Sequence, residues 1–124
     1  MSQSLFERLG GTEGIIAIVD DAVDAHMKNP HVSARFVPYL DTPEKLALVK
    51  QHSVEFFSEG SGGPAKYSGK DMVNAHKGMN ISRDEYTHVV DDVMITLVNH
   101  KIDEVTQKDV LFILWSLKEM IIGQ

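Results

Sequence analysis

The stretch ISRDEYTHVVDDVMITLV, residues 81–98, decides the fold class. Ser82 followed three residues later by Glu85 is a capping box, in which each side chain satisfies a backbone N–H that a helix start leaves open. Ile81 and Tyr86 stand at the spacing of a hydrophobic staple across that start. Beyond it, Val89, Val90, Val93, Met94, Leu97 and Val98 recur with a period close to 3.6, the repeat of one helix face. No convincing apolar–polar alternation of a half-buried strand occurs elsewhere in the chain, so the expectation is an all-α protein.

Working outward, the neighbouring segments read the same way. Downstream, Thr106 with Asp109 is expected to open a last helix; Val110 to Ile122 is apolar nearly all round and is expected to lie centrally. Upstream, Ser68-x-x-Asp71 reads as the start of a short helix carrying Met72, Ala75, His76 and Met79 on one face, with Gly78 near its end. The run Ser58-Glu-Gly-Ser-Gly-Gly-Pro64 is expected to break the preceding helix. That helix begins at Thr42-Pro43 and lines one face with Leu46, Val49, Ser53, Phe56 and Phe57. Further back, Thr12 is read as the cap of a helix of roughly 16 residues, about 24 Å long, that stops at Asn29-Pro30. Pro30 then opens a short turn of helix through Val32 to Phe36. A first segment, Leu5 to Leu9, ends at Gly10-Gly11. With 124 residues, no repeat and no linker, residues 1–124 read as one domain.

Composition removes several classes of function. There is no cysteine, which excludes disulfides, thiolate metal sites, iron–sulfur clusters and c-type haem attachment. A net charge of −6 without a basic cluster argues against a nucleic-acid surface. No run approaches the ~20 apolar residues of a membrane span, and the first residues lack the pattern of a secretory signal. The expectation is therefore a cytoplasmic monomer with no nucleic-acid or membrane partner.

Six histidines carry the remaining chemistry: His26, His31, His52, His76, His88 and His100. His31, His88 and His100 have polar neighbours and read as surface residues. His52 and His76 have apolar residues at i±3 or i±4, the positions that share their helix face. For His76 these are Met72 and Met79, and two readings stay open on pattern alone. One is a core imidazole satisfied by a backbone carbonyl. The other is a metal ligand through one nitrogen, with the second nitrogen donating to a carbonyl. A single Glu85-x-x-His88 does not make a di-iron bundle, which needs two such motifs and further inward glutamates. No HExxH zinc motif, dinucleotide fingerprint or P-loop is present.

Taken in order, Leu9-Gly10-Gly11, Arg35-Phe36, Val54-Glu55-Phe56-Phe57, Gly62-Gly63-Pro64, Tyr67-Ser68-Gly69 and Met72-x-x-Ala75-His76-x-Gly78, followed by Ile81, resemble the truncated haemoglobins, group I most closely. The resemblance spans about Leu5 to Ile121. It implies a truncated two-over-two globin sandwich around haem b, with His76 as the proximal iron ligand. It places Phe36 against the porphyrin and Phe56, Phe57, Met72 and Tyr86 at pocket-wall positions. Tyr67 falls near a propionate, and Lys70 is a candidate to pair with propionate charge. No histidine lies from Thr106 onward, so haem attachment is expected to be non-covalent.

The distal side departs from the group I pattern. Ala22 and Val23 stand where the family usually has a Phe-Tyr pair, Ser53 stands where glutamine is common, and Val49 is another non-donor. His52 falls where some relatives place a histidine on the iron and others a lysine paired with a propionate, so a distal ligand, a distal donor and a propionate partner are its three candidate roles. Lys50 and His26 are weaker distal candidates. The resemblance implies diatomic ligands (oxygen, nitric oxide, carbon monoxide) and a candidate reductase. Oxygen binding, nitric-oxide dioxygenation and peroxidase-like scavenging are the candidate activities. The alternative is a haem-free helical interaction module on a globin scaffold.

Overall fold

The computed structural model describes residues 3–124. Eight α-helices are present among them: α1 (Leu5–Arg8), α2 (Gly11–Lys28), α3 (Ser33–Phe36), α4 (Pro43–Ser61), α5 (Met72–His76), α6 (Arg83–Asn99), α7 (Glu104–Ser116) and α8 (Lys118–Ile121), with a 3-10 turn over Val37–Asp41. The capping box that opens α6 is formed as read: Ser82 Oγ accepts the Glu85 N–H, and Glu85 accepts the Ser82 N–H. Ile81 and Tyr86 are both buried behind it. A second box, Ser4 with Glu7, starts α1.

The long helices form two packed pairs. α2 lies against α4 and against α6, and α6 lies against α7. The core is the inner stripe of three of them: Ile15, Ile18, Val19, Ala22 and Val23 from α2, Val90, Val93 and Leu97 from α6, and Val110 and Leu114 from α7, with Leu46, Val54 and Phe57 of α4 partly buried against it. Burying each of the larger of these side chains contributes about 1.5–3 kcal/mol, so this stripe contact dominates the stability of the fold. The all-helical, two-over-two globin architecture expected from the sequence is the one observed.

Four local readings need correction. α2 begins at Gly11 rather than behind Thr12, because Gly10 turns the chain at φ +95°, a conformation that favours glycine. α4 continues through Ser58 and Gly60 to Ser61. Ser58 and Ser61 are buried, Ser61 Oγ donates to the Phe57 carbonyl at 2.5 Å, and the helix stops only where Gly62 reaches φ +92°. Asp71, not Ser68, precedes α5, since Ser68 gives its N–H and hydroxyl to Glu55. α7 is capped by Asp103, whose carboxylate accepts the Thr106 N–H; the Thr106 hydroxyl is buried, donating to Asp103 and accepting from Arg8.

The expectation that Val110 to Ile122 is central also fails. Only one stripe of α7 faces α6, and Phe112 is 75% exposed and Trp115 54% exposed on the other side. A helix on the outside of a two-layer pack has one partner face, whatever its composition.

Candidate haem site

The site is built from two helices that flank the core. α5 is short because Lys77 leaves the helix for extended backbone and Gly78 takes φ +87°. It packs against α8, and the residues just after it are tied to the chain's end: Asn80 N–H donates to the Gln124 carbonyl and Gly123 N–H to the Ile81 carbonyl, each at 2.8 Å. His76 is its last residue. The His76 Nδ1–H donates to the Met72 carbonyl at 2.8 Å, so the ring's Nε2 carries the lone pair. Carbonyl donation of this kind is the usual way an imidazole is oriented as a metal ligand. Met72 and Met79, on the same face, pack against the core from its edge.

α4 carries Val49, Ser53 and Phe56 at i, i+4 and i+7 on one face, with Phe57 packed against the core and His52 at the opposite edge of that face. All five are only half-buried, as are Phe36, Met72 and His76. The loop between α4 and α5 lies back along α4. Ala65 N–H donates to Ser58 Oγ at 3.2 Å, Tyr67 N–H to Glu59 at 3.0 Å, and Ser68 to Glu55. That brings the Tyr67 ring edge-on to His52, with centroids 5.9 Å apart, and to Phe56 at 5.6 Å. The Tyr67 hydroxyl donates to the Lys70 carbonyl.

Partnering separates the histidines more clearly than burial does. His26 pairs with Asp92, His100 with Asp21, and His31 and His88 approach Asp84. Among the described residues His52 alone has no polar partner, and His76 has one nitrogen open. Among the described residues no buried side-chain nitrogen or oxygen lacks a partner, so these open nitrogens are accessible rather than sealed in protein. A broad apolar macrocycle with an axial imidazole fits this donor set: half-buried aromatic and thioether walls, and a lone pair already oriented by its ring partner.

The other sequence-predicted residues are distributed around this frame. Ala22 and Val23 are buried on α2 and offer no donor. The Ser53 hydroxyl donates to the Val49 carbonyl of its own helix at 2.9 Å. Lys50 pairs with Asp20 at 3.2 Å, and His26 with Asp92, so both weaker distal candidates are engaged elsewhere. Phe36 lies against the His26 ring with centroids 4.9 Å apart. Tyr86 is inside the core; its hydroxyl donates to the Leu114 carbonyl, and burial pushes it up to about 12. Lys70 is exposed, beside a depression of about 660 Å³ lined also by Asp71, Asn74 and Lys77. That depression lies on the side of α5 away from Met72 and His76, and its polar lining does not suit an apolar macrocycle.

The Arg35–Glu85 pair was missed in the sequence, where Glu85 read only as a cap; it does both jobs, holding α3 to α6. The Asp92 partnership of His26 and the stacking of His31 on His88 were also missed. They join positions 66 and 57 residues apart, which local spacing cannot reveal.

Known proteins identify the family and the fold. The family model for bacterial-like globins matches residues 4–122. A group 1 truncated haemoglobin of Tetrahymena pyriformis is 29% identical over 88% of this chain and 95% of that protein. The crystal structure of truncated haemoglobin from Tetrahymena pyriformis in its Fe(III) form superposes with a TM-score of 0.88, covering 98% of this chain and 100% of that one at 21% identity. The 2/2 haemoglobin of Synechococcus sp. PCC 7002, in the cyanomet state with covalently attached haem, superposes with a TM-score of 0.81 at 22% identity over 94% of each chain. The chain belongs to the bacterial-like globins, as a truncated haemoglobin of group 1.

Proposed function

We propose that this globin holds haem b non-covalently through Nε2 of His76 and receives diatomic gases on the side of α4. The observation that carries the reading is the His76 ring itself: Nδ1 is engaged by the Met72 carbonyl and Nε2 is open. When bound, the haem would supply an iron centre able to take oxygen, nitric oxide or carbon monoxide. The chain's own part is to orient the His76 ring, to wall the site with Phe36, Val49, Ser53, Phe56, Phe57 and Met72, and to rim it with Tyr67 and Lys70. Tyr86 supports the wall from within the core.

The distal chemistry follows from what α2 and α4 offer. Ala22, Val23 and Val49 have no side-chain donor, and Ser53 already donates to its own helix. His52 is the uncommitted imidazole of α4, and it would be the residue to ligate the iron or to donate to a gas bound there. Scavenging of nitric oxide or peroxide, with electrons from a reductase in the cytoplasm, suits such a site better than tight oxygen storage, because few groups can hold a polarised oxygen ligand.

The test is the absorption spectrum of protein purified with ample haem. A Soret band at one haem per chain that His76→Ala abolishes is the expected result. A Soret band undiminished in that variant overturns the assignment. Extraction of all haem into acidified organic solvent is expected for non-covalent binding. The second reading, a haem-free interaction module, draws on the exposed Phe112 and Trp115 of α7; absence of any Soret band would favour it.

A further inference from the structure

We propose that His31, Asp84 and His88 form a surface site for one borderline divalent cation of the Zn2+ class, independent of the haem reading because none of the three belongs to that site. His31 follows α2, while Asp84 and His88 stand at i and i+4 on the first turns of α6. Asp84 Oδ2 is 4.0 Å from His31 Nδ1 and 3.9 Å from His88 Nε2, and the three ligand atoms lie within 4.8 Å of one another. A tetrahedral Zn2+ with bonds of about 2.1 Å holds its ligand atoms roughly 3.4 Å apart. To reach that geometry the ligand atoms would have to close by about 0.5–1.4 Å and the two rings would have to turn.

The frame that holds the triad is rigid, although its side chains are free to adjust. Val32, next to His31, is only 2% exposed. The His31 N–H donates to Asn29 Oδ1 at 3.0 Å, while Asn29 Nδ2 reaches Asp92 on α6 at 3.1 Å. On the other flank Arg35 is clamped to Glu85. Two cross-connections, Asn29 to Asp92 and Arg35 to Glu85, thus bracket the point where His31 meets α6. The His31 and His88 rings stack at 3.8 Å with planes 7° apart. An imidazole binds a metal in its own plane, and two parallel planes share no point, so binding must open the stack at the edge near Asp84. The side chains are 55% and 27% exposed and have room to turn.

The donor set selects the ion. Two imidazoles and one carboxylate favour Zn2+, Ni2+ or Cu2+ over Mg2+ and Ca2+, which take oxygen ligands. Three protein ligands leave a fourth position for water. The bound ion would tie the segment before α3 to α6 across more than fifty residues of sequence.

Zn2+ titration of the full chain in competition with a chromogenic chelator tests this. One tight Zn2+ per chain is expected, weakened at least about tenfold by His31→Ala, by His88→Ala and by Asp84→Asn, and unchanged by His100→Ala. As a second measurement, Zn2+ should raise the melting temperature of the unmodified chain by several degrees and leave that of the His31→Ala/His88→Ala double variant unmoved. Zn2+ affinity in the double variant equal to that of the parent, or no binding at millimolar Zn2+, overturns the site.

Discussion

His26 Nδ1 and Asp92 Oδ2 lie 2.8 Å apart in the buried contact between α2 and α6. Asn29 Nδ2 donates to both oxygens of the same carboxylate at 3.1 Å. Burial pushes the His26 ring below its ordinary value, outweighing the upward pull of Asp92, so the ring is neutral and its Nδ1–H donates. The contact fixes the rotation of α2 against α6 and supports Phe36, which rests on the other side of His26.

That shift makes stability depend on pH. The folded ring titrates below 6.5, its ordinary value, so the unfolded chain takes up the proton first. The contribution is full above about pH 6.5 and is lost as pH falls toward the folded value, with a slope of at most about 1.4 kcal/mol per pH unit. Urea unfolding between pH 7.5 and 5 should show His26→Gln less stable at neutral pH and less sensitive to acid than the parent. Equal slopes would remove His26 as the source.

Glu85 predicts the complementary behaviour. Arg35 holds its carboxyl down to about 2, helped by the Ser82 N–H. A depressed acid stabilises the fold above its ordinary value of 4.5, and the effect fades as pH drops from there toward 2. Glu85→Gln keeps the capping box, since glutamine serves there equally, and isolates the ion pair. The pair is partly exposed, so solvent screening limits the loss to about 1 kcal/mol at pH 7. The gap between parent and variant should close in acid, which chemical denaturation would measure.

Gly14→Ala should destabilise, against the usual trend. In an exposed helix the change gains about 1 kcal/mol. Here a Cβ would collide with the Leu9 carbonyl oxygen, a backbone atom that cannot swing away. Separating α1 from α2 to make room costs about 1–3 kcal/mol and exceeds the propensity gain. A melting temperature lower than the parent's is the expected result.

His52→Ala tests the distal side. The ferric protein with haem is expected to show low-spin, six-coordinate bands that the variant converts to high-spin ones. High-spin bands in the parent would leave His52 packed on Tyr67 at the rim, with no axial role.

Several local features were legible because their partners are close in sequence. The Ser82–Glu85 box, the glycine stop after Leu9 and the face shared by Met72 and His76 all depend on residues within four positions. The cap of α7 was misread because Thr106 looks like an N-cap; only the fold shows its hydroxyl buried between Asp103 and Arg8. The break predicted at Ser58 failed for a similar reason, since two buried serines let α4 run one turn further.

The helical class, the order of the long helices and the one imidazole with thioethers on both sides of it could be read along the chain, because they follow from spacing within single helices. Helix packing alone reveals which histidines are already engaged, that one face of α7 stays outside, and that His31 meets His88. Each of those depends on contacts between segments distant in the chain, whose geometry is set by how the helices pack.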